Sequence, residues 1–163
     1  KNVLIGEVWV CSGQSNMEMP LMGWPPNDLI TNSEDEIKNA NNNNIRFFTV
    51  ARAVSIEKEF NCIGTWEEMS PETAARFSAT AFFFGKKLYE DLKIPIGLIH
   101  TSWGGTPAEA WTSSEYLKSL GDFDEVLEKM KNTEEYTQYK KWLESHPRIQ
   151  LNNSVSRWEN FSF

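Results

Sequence analysis

Three short apolar runs, rich in β-branched and aromatic residues, constrain the fold of this chain most strongly. They occupy residues 5–11 (IGEVWVC), 45–54 (IRFFTVARAV) and 94–102 (IPIGLIHTS). Runs of this length and composition are typical of strands that are covered on both faces. Helix-forming sequence separates and follows them. Strands that alternate with helices predict the α/β class, with a parallel sheet and helices on both of its faces.

The clearest helical pattern starts at Ser70-Pro71-Glu72. Serine is a good cap, proline suits the first helical position, and glutamate favours the positive end of a helix. We predict one helix over residues 70–92, with its core-facing stripe at Phe77, Ala81, Phe84 and Leu88. Further helix starts are predicted where side chains that suit a cap recur, at Thr112, Asp122 and Thr133.

Composition excludes some classes of function. The 163 residues include 16 Lys and Arg against 23 Asp and Glu, which gives a formal net charge of -7. Such a balance argues against nucleic acid or an anionic membrane as the main partner. Two cysteines, Cys11 and Cys62, cannot form a metal site alone and are not a disulfide framework. We expect both to be buried as small apolar residues.

A candidate nucleophile lies in the turn that follows the first apolar run. The turn reads Gly13-Gln14-Ser15-Asn16-Met17. Sites of open α/β sheets form beyond the carboxyl ends of the strands, and unpaired N–H groups at a helix start can hold a developing negative charge. Ser15 in this position fits an attacking serine. The pentapeptide alone is equally compatible with a polar turn that happens to contain serine.

A second turn, Trp103-Gly104-Gly105-Thr106, follows the third apolar run. If the strands are parallel, this turn and the Ser15 turn lie at the same edge of the sheet. Paired glycines bring backbone N–H groups close to a ligand, which suits an oxyanion hole. A strand-to-helix turn that needs glycine for its backbone remains the alternative explanation of the motif.

Taken together, three runs of this chain resemble one family. They are GEVWVCSGQSNME (residues 6–18), RFSATAFFFGKKL (76–88) and SWGGTPAEAW (102–111). In this order, across roughly residues 3–112, they are similar to the sialate O-acetylesterase family of SGNH, or GDSL-like, hydrolases. The resemblance implies an SGNH-type three-layer α/β/α fold. It also implies a serine esterase that removes O-acetyl groups from sialic acid or a polysaccharide sugar through an acyl-enzyme. No metal or organic cofactor is implied, and the implied location is secreted or periplasmic.

The resemblance also assigns roles to residues of the two turns. Ser15 matches the nucleophile, and the N–H groups of Ser15 and Gly104 match the oxyanion donors, with Gly105 as the substitute for Gly104. Gln14 and Asn16 match the family motif and are assigned to shaping the loop beside the substrate. Several tryptophans could stack on a sugar face. Trp103 is the first candidate because it precedes the proposed oxyanion glycine.

Two parts of the family pattern are missing from this sequence. The family carries a Trp-x-Gln-Gly-Glu run that completes the oxyanion hole and an Asp-x-x-His run that supplies the base. Neither occurs here, since the residues three before His100 and His146 are Gly97 and Leu143. A serine at its ordinary pKa is a poor nucleophile without an adjacent base. His100 is therefore interpreted as a structural or substrate-side residue, with a role as the base as the lesser alternative.

These departures lead to an expectation about completeness. Residues 1–163 are expected to be the N-terminal part of an SGNH hydrolase domain, inactive alone, whose remainder lies on another chain or in a further segment. The sheet gives a second reason, because three parallel strands would leave a bare edge. The alternative is a non-catalytic fragment that binds carbohydrate or serves in assembly.

Overall fold

The computed structural model describes residues 2–55 and 58–134, together with residues 137, 138 and 141. Within this part, the strands are β1 (Glu7–Gly13), β2 (Asn42–Thr49), β3 (Trp66–Met69) and β4 (Ile96–Ser102). The α-helices are α1 (Ser15–Glu18), α2 (Ser33–Lys38), α3 (Pro71–Arg76), α4 (Ala79–Leu92), α5 (Ser114–Leu120) and α6 (Asp124–Lys131), and a 3₁₀ helix spans Ala108–Trp111. None of the helices in the described residues is both long and apolar enough to cross a membrane.

The chain divides into two compact units. The first comprises Lys1–Val50 with Gly64–Gly105, and the second comprises Ala51–Ile63 with Thr106–Phe163. The first unit holds the sheet, whose strand order is β1-β4-β2-β3. β4 pairs in parallel with β1 on one side and with β2 on the other. The three apolar runs therefore form neighbouring parallel strands, and the α/β class is confirmed.

The three predicted strands are parallel, but the described sheet is mixed, because a fourth strand, β3, pairs antiparallel with β2. The sequence predicts no strand over its four residues, Trp66–Met69. This strand is short and carries two glutamates, so its composition does not mark it as a strand. Both glutamates are paired with arginines: Glu67 with Arg76, and Glu68 with Arg46 at 2.8 Å. Charged side chains suit an edge strand, which is the place that β3 takes in the sheet.

One face of the sheet is buried beneath α4 and the segment that leads into it. Ile45 and Phe47 of β2 lie in register with Ile96 and Leu98 of β4, and all four are at most 1% exposed. Phe77 stacks on Phe47 with 4.1 Å between the ring centroids. This face forms the core of the first unit.

The predicted helix over residues 70–92 is in fact two helices. Phe77 has an extended backbone (φ -82°, ψ 156°), and the Ser78 side chain caps α4 by accepting a hydrogen bond from the N–H of Ala81. Ser70 caps α3 as predicted: its side chain accepts a hydrogen bond from the N–H of Thr73, and its own N–H donates to Thr73 Oγ1. The break also shifts the buried stripe, so that Phe82 is buried whereas Phe84 is 39% exposed.

β1 is less covered than its sequence predicts. Val8 and Val10 are 59% and 66% exposed, although the apolar run was predicted to be covered on both faces. They point to the sheet face opposite α4, while Trp9 contacts the Phe84 ring edge-on at 5.2 Å. β1 is also an edge strand of the described sheet. Apolar residues of β1 therefore remain at the surface.

Three predictions about residues of the second unit are wrong. Ser113, rather than Thr112, caps α5, and the cap position of α6 is Phe123 rather than Asp122. Cys62 is exposed, so the expectation that both cysteines are buried holds only for Cys11 of the first unit. Most of the helix predicted to follow Thr133, like His146, lies outside the described residues.

Candidate active site

Ser15 is the first residue of α1, directly beyond the end of β1. The chain makes this turn at Gly13, whose φ of +143° is a conformation that side-chain-bearing residues rarely adopt. The carbonyl of Gln14 then accepts hydrogen bonds from the N–H groups of Met17 (3.0 Å) and Glu18 (2.9 Å). These bonds close one helical turn and leave the Ser15 side chain exposed at its start.

The glycine turn lies next to Ser15. Gly13 and Ser102 are partners in the β1–β4 register, and the N–H of Trp103 donates to the Gly13 carbonyl at 3.1 Å. A Cβ atom added to Gly104 would lie 3.6 Å from both Cα and Cβ of Ser15. Two turns separated by about ninety residues in the sequence therefore meet at the carboxyl ends of adjacent parallel strands, where sites of this fold class form.

Glu18 contacts the glycine turn directly, and sequence reasoning had given it no role. Its Oε2 accepts a hydrogen bond from the N–H of Gly104. Glu18 lies three residues after Ser15, so the two occupy neighbouring positions on one turn of helix. The three-residue spacing from Ser15 was the only feature of the sequence that could have indicated a role for Glu18. Its partner, Gly104, is 86 residues away in the sequence, and the spacing does not identify it.

The neighbours of Ser15 anchor the turn to α4. The carbonyl of Asn16 accepts a hydrogen bond from Thr80 Oγ1 at 2.9 Å, and Ser78 Oγ lies 3.5 Å from the sulfur of Met17. The Gln14 and Asn16 side chains are exposed. Their backbone carbonyls thus support the turn, and a part for their side chains in substrate binding stays a prediction.

Trp103 lies between the end of β4 and Gly104, and it is half-buried. Its backbone N–H is bonded to Gly13, which places the residue at the same end of the sheet as Ser15. A tryptophan buried on the far side of the sheet would have excluded contact with a bound sugar. The position of Trp103 leaves its predicted stacking role open.

His100 is engaged beside the candidate site. Its Nε2 lies 2.6 Å from Ser102 Oγ, and its ring contacts Phe77 edge-on at 5.5 Å. The residue is 8% exposed and belongs to the buried face of β4. We interpret His100 as a structural residue that supports the end of β4. In the described residues, no group of three or more His, Cys, Asp or Glu side chains could hold a metal ion.

Comparison with known proteins identifies related chains. The model of a family described as carbohydrate esterase, sialic acid-specific acetylesterase, matches residues 5–143. Human sialate O-acetylesterase is 38% identical over 130 residues, which cover 74% of this chain and 24% of the human protein. The rat sialate O-acetylesterase is 37% identical over 129 residues, covering 74% of this chain and 23% of the rat protein. The chain spans about a quarter of the length of these curated relatives.

A solved structure gives the same result at the level of the fold. The crystal structure of a carbohydrate acetylesterase from Xanthomonas citri matches with a TM-score of 0.63 and 32% sequence identity. The match covers 69% of this chain and 25% of the Xanthomonas chain.

Proposed function

Because the chain belongs to the carbohydrate esterase family of sialic acid-specific acetylesterases, we propose that it carries the nucleophile of a carbohydrate O-acetylesterase. The substrate class is an O-acetylated sugar, either sialic acid or a polysaccharide unit. Residues 1–163 would form the N-terminal part of an SGNH-type hydrolase domain. By the same resemblance, the protein would be secreted or periplasmic.

The observation that supports this proposal best is the meeting of Ser15 with the glycine turn. Ser15 begins a helix at the end of β1, and the position of a Gly104 Cβ lies 3.6 Å from its side chain. An attacking hydroxyl and backbone N–H donors must lie side by side to stabilise the tetrahedral intermediate of acyl transfer. The two turns supply both kinds of group in one place.

The proposed reaction proceeds through an acyl-enzyme. Ser15 Oγ attacks the acetyl carbonyl carbon and gives up its proton to a base. The C–O bond to the sugar then breaks, and the sugar oxygen leaves with a proton. Water attacks the acetyl-serine, releases acetate and restores the hydroxyl of Ser15. Backbone N–H groups of Ser15 and the glycine turn would hold the carbonyl oxygen while it carries negative charge.

We propose that the base of this reaction comes from outside the described residues. His100, the candidate that the sequence offered, is bonded to Ser102 on the buried face of the sheet. We propose that the remaining part of the domain, on another chain or in a further segment, supplies the base and an additional oxyanion donor. In the part of the chain that the structure describes, β1 is an edge strand, and Val8 and Val10 are exposed. Both observations support a partner at this edge of the sheet.

A second function deserves a test because the chain spans only about a quarter of its relatives. It could be a fragment that binds carbohydrate, or serves in assembly, without turnover. The two functions predict different effects of completing the domain on hydrolytic activity. For an esterase, adding the remaining part of the domain creates activity, whereas a binding fragment stays inactive.

The experiment measures hydrolysis of 4-nitrophenyl acetate by the purified 163-residue chain and by the protein with its remaining domain part. We expect little or no turnover by the chain alone, because loss of a base costs several orders of magnitude. The completed protein should turn over, and Ser15→Ala should remove that activity. Robust turnover by the chain alone would show that it contains a base, and His100→Ala would be the first variant to test. Inactivity of the completed protein would favour the binding fragment.

A further inference from the structure

We propose that Glu18 is a positioning residue of the candidate active site, and that it selects Gly105 over Gly104 as the oxyanion donor of the glycine turn. Its carboxylate holds the N–H of Gly104 and so fixes the turn against the helix that carries Ser15. The inference rests on the proposed function, in which Ser15 is the nucleophile. It reverses the expectation from the sequence, where Gly104 was the first choice and Gly105 the substitute.

The contact between Glu18 and Gly104 joins the two halves of the site. Hydrogen bonds from a backbone N–H to a carboxylate are shorter and about twice as strong as those between neutral groups. Glu18 and Ser15 share the four-residue helix α1, so whatever Glu18 holds is held at a fixed place relative to Ser15. A Gly104 Cβ would lie 3.6 Å from Ser15 Cβ, which shows how closely the turn is drawn in.

The same contact removes Gly104 from the set of free donors. An oxyanion at the Gly104 N–H would have to displace the carboxylate oxygen and would then lie beside its negative charge. Like charges at such a short distance repel each other. An acceptor already bound to the N–H therefore makes Gly104 a poor donor for the reaction.

Gly105 has the properties that Gly104 lacks. It is exposed, and its φ is +78°. In the described part of the chain, no heavy atom other than those of Gly105 and its two chain neighbours lies within 4 Å of the place where its Cβ would be. Among the described residues, no backbone group accepts a hydrogen bond from its N–H. Gly105 follows Gly104 directly, so the contact that holds Gly104 also restricts the position of Gly105.

The test uses the 163-residue chain labelled with ¹⁵N-glycine. The chain has nine glycines, so the spectrum is simple, and loss of one signal in Gly104→Ala identifies Gly104. We expect Glu18→Ala to move the Gly104 signal upfield and to lower the order parameters of Gly104 and Gly105 from about 0.85 to below about 0.6. Glu18→Gln keeps an acceptor oxygen and should keep both residues ordered. Glu90→Ala, which removes an exposed carboxylate from α4, is the matched control and should change neither signal.

Acetate serves as the probe of the donor, because it is the carboxylate product of the proposed reaction. In the unmodified chain, acetate should move the Gly105 signal and leave Gly104 in place. In Glu18→Ala, the affinity of the chain for acetate should fall about tenfold, because that is the loss expected if the glycine turn is ordered only about a tenth of the time. In Glu18→Gln, the affinity for acetate should be restored. A role in folding alone would leave acetate binding of the folded variants unchanged.

Three results would overturn the inference: a Gly104 signal that Glu18→Ala does not move, an acetate response at Gly104, or no acetate response at Gly105. If Glu18→Ala does not fold, Glu18→Gln still decides, because the weaker neutral acceptor must shift Gly104 in a folded chain. None of these measurements depends on turnover. Failure of the inference is therefore distinguishable from failure of Ser15 as nucleophile, which hydrolysis by Ser15→Ala reports.

Discussion

The candidate site depends on a few residues whose backbone geometry is unusual. Gly13 ends β1 with φ at +143°, and this turn directs the chain so that the next helix begins at Ser15. The sequence was sufficient to predict both turns, because glycine after an apolar strand is a strong local signal. It was not sufficient to predict the Glu18–Gly104 contact, which forms only when two strands distant in sequence become neighbours.

Replacing Gly13 by alanine should destabilise the fold and displace Ser15. A residue with a Cβ at this φ costs on the order of 1–3 kcal/mol. We expect the free energy of unfolding, measured with urea, to fall by about that amount. Ser12→Ala, at the preceding exposed position of β1, is the control and should change it by less than about 0.5 kcal/mol. Equal stabilities of the two variants would show that the turn tolerates another backbone conformation.

The two cysteines should react with thiol reagents at very different rates. Burial raises the pKa of the Cys11 thiol, so at pH 8 this residue holds less of the reactive thiolate and is also inaccessible. Cys62 is exposed. A disulfide reagent should therefore modify one thiol of the native chain quickly, and the second only after unfolding. Cys62→Ser should abolish the fast phase; a fast phase that persists in this variant would contradict the burial of Cys11.

The raised pKa of Cys11 also gives stability a pH dependence. The folded chain keeps a proton that the unfolded chain releases above the ordinary thiol value of 9.0. Stability from this group is therefore present below pH 9 and falls as the pH rises beyond it.

At the scale of elements, the strands and helices that the sequence predicted are those with strong patterns. β1, β2 and β4 follow from apolar runs, and the start of α3 follows from Ser70-Pro71. β3 was missed because two of its four residues are glutamates. The break between α3 and α4 was missed because the apolar spacing continues through it, although Ser78 is a competent cap.

Ser78 should be important for stability because it connects α4 with α1. It is fully buried, caps α4 through the N–H of Ala81, and contacts Met17 of α1. Ser78→Ala leaves a helix N–H without its acceptor in the interior, so we expect a loss of about 1–2 kcal/mol in the free energy of unfolding. Denaturant unfolding measures this loss. A change as small as that of Ser12→Ala would mean that the cap contributes little.

At the scale of the whole molecule, the sheet has an unequal distribution of apolar surface. The face beneath α4 is buried, whereas the opposite face exposes Val8 and Val10, and Trp66 is 47% exposed. The ring of Trp66 lies over Gly97 on that face and covers only part of it. Neighbouring exposed apolar side chains of this kind are typical of interaction sites. We therefore expect the remaining part of the domain to cover this face and to pair with the β1 edge.

A charge placed on this surface should have little effect on the 163-residue chain alone but should disrupt the completed domain. Val10→Lys should change the stability of the 163-residue chain by less than about 0.5 kcal/mol, since Val10 is 66% exposed. In the completed protein the lysine would be buried, so assembly and activity should both be lost. Val126→Lys, at a 52% exposed position of α6, is the control and should leave both intact. An active, assembled Val10→Lys protein would show that this face stays open to solvent.

The proposed mechanism requires that Ser15 is the residue acetylated during turnover, and trapping the acyl-enzyme tests this requirement directly. The completed protein is mixed with 4-nitrophenyl acetate, quenched in acid within the first turnover, and digested for mass spectrometry. We predict one added acetyl group on the peptide that contains Ser15. We also predict that Ser15→Ala lacks this group and loses at least about 10⁴-fold in kcat, whereas Ser12→Ala keeps both the acetyl group and the activity. An acetyl group on a different residue, or turnover that survives Ser15→Ala, would contradict the claim.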